Sequence, residues 1–183
     1  MDLDKAIKNR TSARRFKDEK PDWRTIIECI DSARFAPVAG NIYSLKFILV
    51  DDSEKIQKLA EAAQQDFIIQ AKYVVVVCSM PNMTLNSYAE RGEKYLRQQA
   101  GAGIQNFLLK IEEAGLGACW VGAFVDEQVK KILDIPENVD VEAIFPIGYE
   151  VGEKIQREKI ELDNILYFDT YGNRKMGSPK RVD

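Results

Sequence analysis

Arg10, Ser12 and Arg14 form an R-x-S-x-R segment with the residue types and spacing to hold an anion. In an extended chain alternate side chains share a face, so these three could converge on one group. A guanidinium offers a planar fork of donors that matches phosphate oxygens, and a serine hydroxyl adds one more. By itself the pattern is better read as a solvated basic turn, because Lys and Arg also favour the C-terminal end of a helix.

A second constellation occupies residues 36–41 (APVAGN). Proline stops a helix, glycine permits unusual backbone angles, and small residues let a flat ligand approach the main chain. Asn41 adds an amide that both donates and accepts. A plain helix-to-strand turn would use the same residues. The third constellation is residues 115–124 (GLGACWVGAF), where glycines flank an extended stretch able to bring a backbone N–H against a ring. It is not G-x-G-x-x-G and it follows a helix, which excludes a dinucleotide-binding Rossmann turn.

Composition narrows the chemistry. The chain has 183 residues, a formal net charge of -3 and no histidine. That length suits one domain with one main core. The charge argues against a general nucleic-acid binder. Without histidine there is no Ser-His or Cys-His catalysis, no histidine-held zinc and no imidazole base, so an enzyme of this composition needs a cofactor for its chemistry. Cys29, Cys78 and Cys119 are scattered in apolar surroundings and read as reduced core thiols; no metal site is expected. The longest apolar run, residues 73–80 (YVVVVCSM), is far short of the roughly 20 residues that span a bilayer, and the first ten residues carry no secretory pattern. Cytoplasm is the expected location.

These segments need a scaffold. Periodicity predicts a short helix over residues 3–9, with Leu3, Ala6 and Ile7 on one face, and a second helix capped by Asp22 with Trp23, Ile26, Ile27, Ile30 and Ala33 as its stripe. Residues 46–50 read as a strand, followed by a helix capped by Ser53. Residues 73–79 read as a strand buried on both faces. A long helix over about 93–113 ends at Gly115, with Gly101 and Gly103 inside it suited either to packing within the chain or to a dimer contact. An extended stretch over 119–125, a short helix capped by Asp126, and a strand over 141–149 complete the pattern. Helices and strands interleave, which argues for α+β or α/β. Residues 151–183 have little core of their own, and Ile160, Leu162, Ile165, Leu166, Tyr167 and Phe168 give them apolar surface with which to wrap a neighbour.

The order and spacing of Arg10–Arg14, Pro37–Asn41 and Gly115–Gly122, over roughly residues 3–150, resemble the nitroreductase family of flavoproteins. The resemblance implies an α+β fold with a central mixed sheet flanked by helices, in an intertwined homodimer whose subunits share the FMN. It implies that Arg10, Thr11, Ser12 and Arg14 hold the phosphate, ribityl chain and pyrimidine edge, that Pro37, Val38, Ala39 and Asn41 of the other subunit wall the ring, and that Val121 and Gly122 face N5. Gln65, or Gln64, would lie near the ring. Arg174 and Lys175, ahead of Lys180 and Arg181, would complete the phosphate site, although the family's basic-Pro-Leu-Glu-Glu ending is absent. No side chain is expected to be catalytic. The implied activity is transfer of a hydride from NADH or NADPH through flavin N5 to a small acceptor such as a nitroaromatic or quinone. Alternatives on the same fold are a deazaflavin- or ferredoxin-linked enzyme, a dehalogenase-like one using residues 81–92 as its lid, or a non-catalytic flavin-binding module. Ile42-Tyr43-Ser44-Leu45 replaces the family's usual Gln-Pro-Trp, which leaves the acceptor open and puts Tyr43 at the substrate face.

Overall fold

A computed structural model describes residues 2–177. Helix α1 (Leu3–Asn9) starts at Asp2, whose carboxylate accepts from the Asp4 N–H, and α2 (Trp23–Asp31) starts at Asp22 in the same way. A short turn of 3-10 helix, Ser32–Phe35, extends α2 to the Pro37 stop. Strand β1 (Leu45–Val50) is followed by α3 (Ser53–Ala63). Its cap is Asp52 rather than the expected Ser53: the Asp52 carboxylate accepts from the Glu54 and Lys55 N–H groups. Both residue types cap well, and the charged one takes the helix dipole.

Strand β2 (Tyr73–Ser79) is buried at every position. It lies between β1 and β4 (Asp140–Gly148), and the two-residue β3 (Gly117–Ala118) closes the order β1-β2-β4-β3. All pairings among the described residues are antiparallel, so within them the sheet is antiparallel and not the mixed one expected from the resemblance. The connection through α3 returns the chain to the end of β1 that it left, setting Val50 opposite Val74. One face of the sheet, with Tyr73, Val75, Val77 and Phe145, packs on α2 and on α5 (Glu90–Glu113). The other, with Val74, Val76, Cys78 and Ile144, packs on α3 and on α6 (Asp126–Leu133). Two covered faces explain why β2 reads as an unbroken apolar run instead of an alternating one.

Two local expectations shift. Residues 81–92, the polar segment offered as a candidate lid, include helix α4 (Asn82–Tyr88). Helix α6 is preceded by Val125 without a side-chain cap, and Asp126 instead occupies its first turn. The glycines of α5 divide their roles. Gly103 packs within the chain, where a Cβ would meet Leu45 Cδ1 at 2.8 Å and the Ala33 carbonyl oxygen at 3.4 Å, whereas a Cβ on Gly101 would meet nothing within 4 Å.

The predicted face of α1 is split: Ala6 is buried, while Leu3 and Ile7 are 64% and 53% exposed. On α2, Ile26 is buried and Trp23 and Ile27 are not. After β4 the chain is pinned by Lys154, which reaches the buried Glu112 carboxylate of α5 at 2.5 Å. From there to residue 177 its one helical element is a short 3-10 segment, Leu162–Asn164, and Ile160, Leu162 and Ile165 stand exposed. No helix among the described residues is long and apolar enough to cross a membrane.

Candidate functional site

The R-x-S-x-R segment is an extended loop laid along the sheet edge at β3. The Ala13 N–H donates to the Ala118 carbonyl at 3.0 Å, Phe16 bridges to Glu150, and the Val151 N–H donates to the Arg15 carbonyl at 2.9 Å. Ala13 and Phe16 are buried and turn toward the core, while Ser12 and Arg14 are exposed. Arg10, where the loop leaves α1, is half-buried. The alternation expected of an extended chain is therefore present and anchored at its midpoint. Gly117 makes the docking possible, because a Cβ there would stand 2.7 Å from Ala13 Cβ and 3.3 Å from Glu150 Cβ.

Arg10, Thr11, Ser12 and Arg14 line one open cleft of about 430 Å³ together with Arg15, Glu150, Val151, Glu153, Arg157 and Lys159. Five cations face two carboxylates, so the lining carries a net positive charge suited to a multiply charged anion. The Arg10 guanidinium donates to the Thr11 carbonyl at 2.9 Å, and the Thr11 hydroxyl donates to Glu150 at 3.2 Å. Arg157 and Lys159 join the cleft without having been expected there. Their own i, i+2 spacing, shortly after the last strand, is the signal that marks them.

Arg174 takes a different place. Its guanidinium donates to the Asp163 carbonyl at 2.8 Å and stacks 5.7 Å from the centre of the Tyr167 ring. Neither it nor Lys175 lines the cleft within this chain; Lys180 and Arg181 lie outside the described residues. The physical reason is that residues 163–174 fold into a small cluster of turns, in which one Arg174 guanidinium nitrogen is engaged locally.

Two further segments gather beside the loop. The Arg14 guanidinium lies 5.9 Å from the centre of the Phe67 ring, two residues past Gln65, which is exposed at the start of the Asp66–Gln70 turn. The Val125 N–H donates to the Ala62 carbonyl at 2.9 Å, bringing the glycine-flanked stretch to the same end of α3. Within that stretch Val121 exchanges both backbone bonds with Ile144 at 3.0 Å. Val121 has therefore no free N–H to offer a ring. The Gly122 N–H has no hydrogen-bond partner among the described residues, and Gly122 is exposed beside the half-exposed Trp120.

Cys119 is buried; burial pushes its thiol up, and Arg14 first, then Arg10 and Ser12, pull it back down. Burial also pushes Cys29 and Cys78 up to about 11. At pH 8 a thiol of that kind is ionised in about one molecule in a thousand. A thiol reagent at pH 8 should accordingly label the native protein slowly and all 3 cysteines rapidly after unfolding; a native cysteine that reacts at the unfolded rate contradicts this. The raised thiols stabilise the fold fully below about pH 9, and that contribution is lost as pH rises through about 11.

Pro37, Val38, Ala39 and Asn41 do not line the cleft. Their turn sits instead against α4 and α5, with Gly40 and Asn41 both left-handed at φ 57°. Within one chain, then, the structure brings together the first and third constellations and leaves the second apart. Tyr43 follows the turn, partly exposed, with its hydroxyl pKa raised by burial.

The family model described as "Nitroreductase family" matches residues 7–68 and 60–149. The chain belongs to the nitroreductase family. A protein of Archaeoglobus fulgidus, provisionally named as an NADH dehydrogenase/NAD(P)H nitroreductase, is 30% identical over 82% of this chain and 86% of its own length. An iodotyrosine deiodinase of Thermotoga neapolitana is 24% identical over 90% of this chain and 96% of its own. Among solved structures, an FMN-dependent nitroreductase from Clostridium difficile R20291 superposes with a TM-score of 0.78 over 91% of this chain and 98% of its own, at 23% identity. This nitroreductase-family chain therefore shares its fold with an enzyme named for FMN, and several of its sequence relatives are named as NAD(P)H nitroreductases or oxidoreductases.

Proposed function

We propose that the chain is an FMN-dependent NAD(P)H oxidoreductase that works as a homodimer and reduces a small acceptor such as a nitroaromatic or quinone. The observation that carries this reading is the cationic cleft in which Arg10, Ser12 and Arg14 converge, in a chain of the nitroreductase family. The donor set fits the group: guanidinium forks and a hydroxyl match a phosphate, and the loop that carries them is hydrogen-bonded to the glycine-flanked stretch holding Gly122.

FMN bound there supplies the two-electron centre between a nicotinamide and the acceptor. Arg10 and Arg14 bind its phosphate, helped by Ser12, Thr11 and, from the arm, Arg157 and Lys159. The Gly122 N–H holds the ring edge. Gln65 borders the ring, and Pro37, Val38, Ala39 and Asn41 wall it from the second subunit. No side chain of this chain carries a proton, consistent with a sequence that has no histidine. Dimerisation is supported by the exposed Leu3, Ile7, Trp23 and Ile27 of α1 and α2, by the open space over Gly101, and by the apolar side chains of the arm.

One flavin serving donor and acceptor in turn gives ping-pong kinetics. Double-reciprocal plots against NADH or NADPH at several nitroaromatic or quinone concentrations should be parallel. Lines that intersect would show both substrates bound at once and would overturn the shared-face arrangement.

A further inference from the structure

The turn at Gly40–Asn41 is an unusual piece of backbone. Two consecutive residues are left-handed, and one backbone hydrogen bond, from the Ile42 N–H to the Ala39 carbonyl at 3.0 Å, closes it. The chain beyond the turn, residues 42–44, is held from α4 and α5. Gln99 of α5, buried, accepts from the Ser44 N–H at 2.7 Å and donates to the Ile42 carbonyl at 3.1 Å. The Ser44 and Thr84 hydroxyls share a buried hydrogen bond at 2.9 Å. One helical turn beyond Thr84, the Tyr88 hydroxyl lies where a Cβ on Gly40 would be.

Helix α4 is aimed to make that contact. Gly92 lets it fold back closely on α5, since a Cβ there would meet Leu85 Cα at 2.8 Å and the Thr84 carbonyl oxygen at 3.0 Å. Ala89, between the helices, takes φ 46° and ψ -129°, a conformation that suits glycine and strains alanine. The Tyr88 ring is fixed edge-on to Tyr95, centres 5.1 Å apart. Yet Gly40 is exposed and Tyr88 half-buried, so their contact closes little core. A strained link that delivers a side chain to a surface glycine fits positioning better than stability.

We propose that Tyr88 is a positioning residue that holds the Gly40–Asn41 turn in the shape in which it walls the flavin. This rests on the proposed function, in which residues 37–41 line the ring. Tyr88→Phe keeps the ring against the turn and should bind FMN as the unaltered protein does. Tyr88→Ala frees the turn and should raise the FMN dissociation constant about tenfold, with the melting temperature of the FMN-free protein unchanged. Gly40→Ala, which forces Tyr88 aside, should weaken FMN binding from the opposite side of the contact. The assay is titration of the full chain with FMN, read by flavin fluorescence, beside thermal unfolding without FMN. Tyr88→Ala and Gly40→Ala proteins that fold and bind FMN normally overturn the inference alone. A lowered melting temperature with unchanged FMN affinity also overturns it, by reducing Tyr88 to a structural role. If the unaltered chain takes up no FMN, the functional reading falls and this inference falls with it.

Discussion

Arg10→Ala and Arg14→Ala should each weaken FMN binding about thirtyfold, because a hydrogen bond to a charged group contributes about 2 kcal/mol. The fold should hardly notice. Arg14 is exposed, and among the described residues Arg10 donates only to the adjacent Thr11 carbonyl, so the FMN-free protein should melt within about two degrees of the unaltered one. The arm supplies an internal comparison. Arg157→Ala and Lys159→Ala, which remove cations from the same cleft, should also weaken binding, by less in each case because they stand on a segment with no sheet partner to fix them. Arg174→Ala should leave FMN affinity alone, because Arg174 lies outside the cleft, with one guanidinium nitrogen on the Asp163 carbonyl and the group over the Tyr167 ring. Flavin fluorescence titration of the five proteins ranks them directly. Arg174→Ala weakening FMN more than Arg10→Ala would return the phosphate site to the C-terminal turns.

The second large effect is expected at a residue that touches no ligand. Gly117→Val places a branched side chain where Ala13 Cβ is 2.7 Å from even a single added carbon and Glu150 Cβ is 3.3 Å away. Glycine is needed here for the close approach of two backbones, since the loop and β3 share the Ala13 to Ala118 hydrogen bond. Overpacking of this kind costs about 3 kcal/mol, and about 2–4 °C of melting temperature per kcal/mol is typical of a chain this size, so a fall of about 10 °C is expected. The loop that carries Arg10, Ser12 and Arg14 must lift away as well, so FMN affinity should drop further than in either arginine variant. A compensating pair separates this from general damage. Gly117→Ala is milder, and adding Ala13→Gly vacates the contested space, so the double variant should recover both stability and FMN binding. Failure of Ala13→Gly to rescue would mean that the loop is not seated through this contact.

Much of this arrangement was legible from residue order. The R-x-S-x-R alternation reads correctly because the loop is extended and tethered at Ala13, so period-two logic applies as it does in a strand. Residues 73–79 read correctly as a two-faced strand because helices cover both sides of the sheet. Other features were hidden for physical reasons. Helix α4 has Pro81 before it and Asn, Thr, Asn and Ser within it, a composition with poor intrinsic helicity; tertiary contacts through Thr84 and Leu85 override that preference. Asp52 and Ser53 are adjacent caps of similar strength, and only the observed bonds choose between them. Arg157 and Lys159 offer only an i, i+2 spacing as a local signal, and what gives them meaning is the pairing of Phe16 with Glu150 and of Val151 with Arg15, long-range contacts that this spacing does not announce. The same holds for Gly101 and Gly103: two residues apart on one helix, they face an open surface and a packed core respectively.

The decisive measurement is the visible spectrum of the purified chain reconstituted with FMN, recorded anaerobically before and after NADH or NADPH. The expected result is a bound flavin band that bleaches promptly with one of the two nicotinamides and returns on addition of a nitroaromatic or quinone. A flavin band that persists with both nicotinamides, or a chain that retains no FMN on gel filtration, would refute the assigned chemistry.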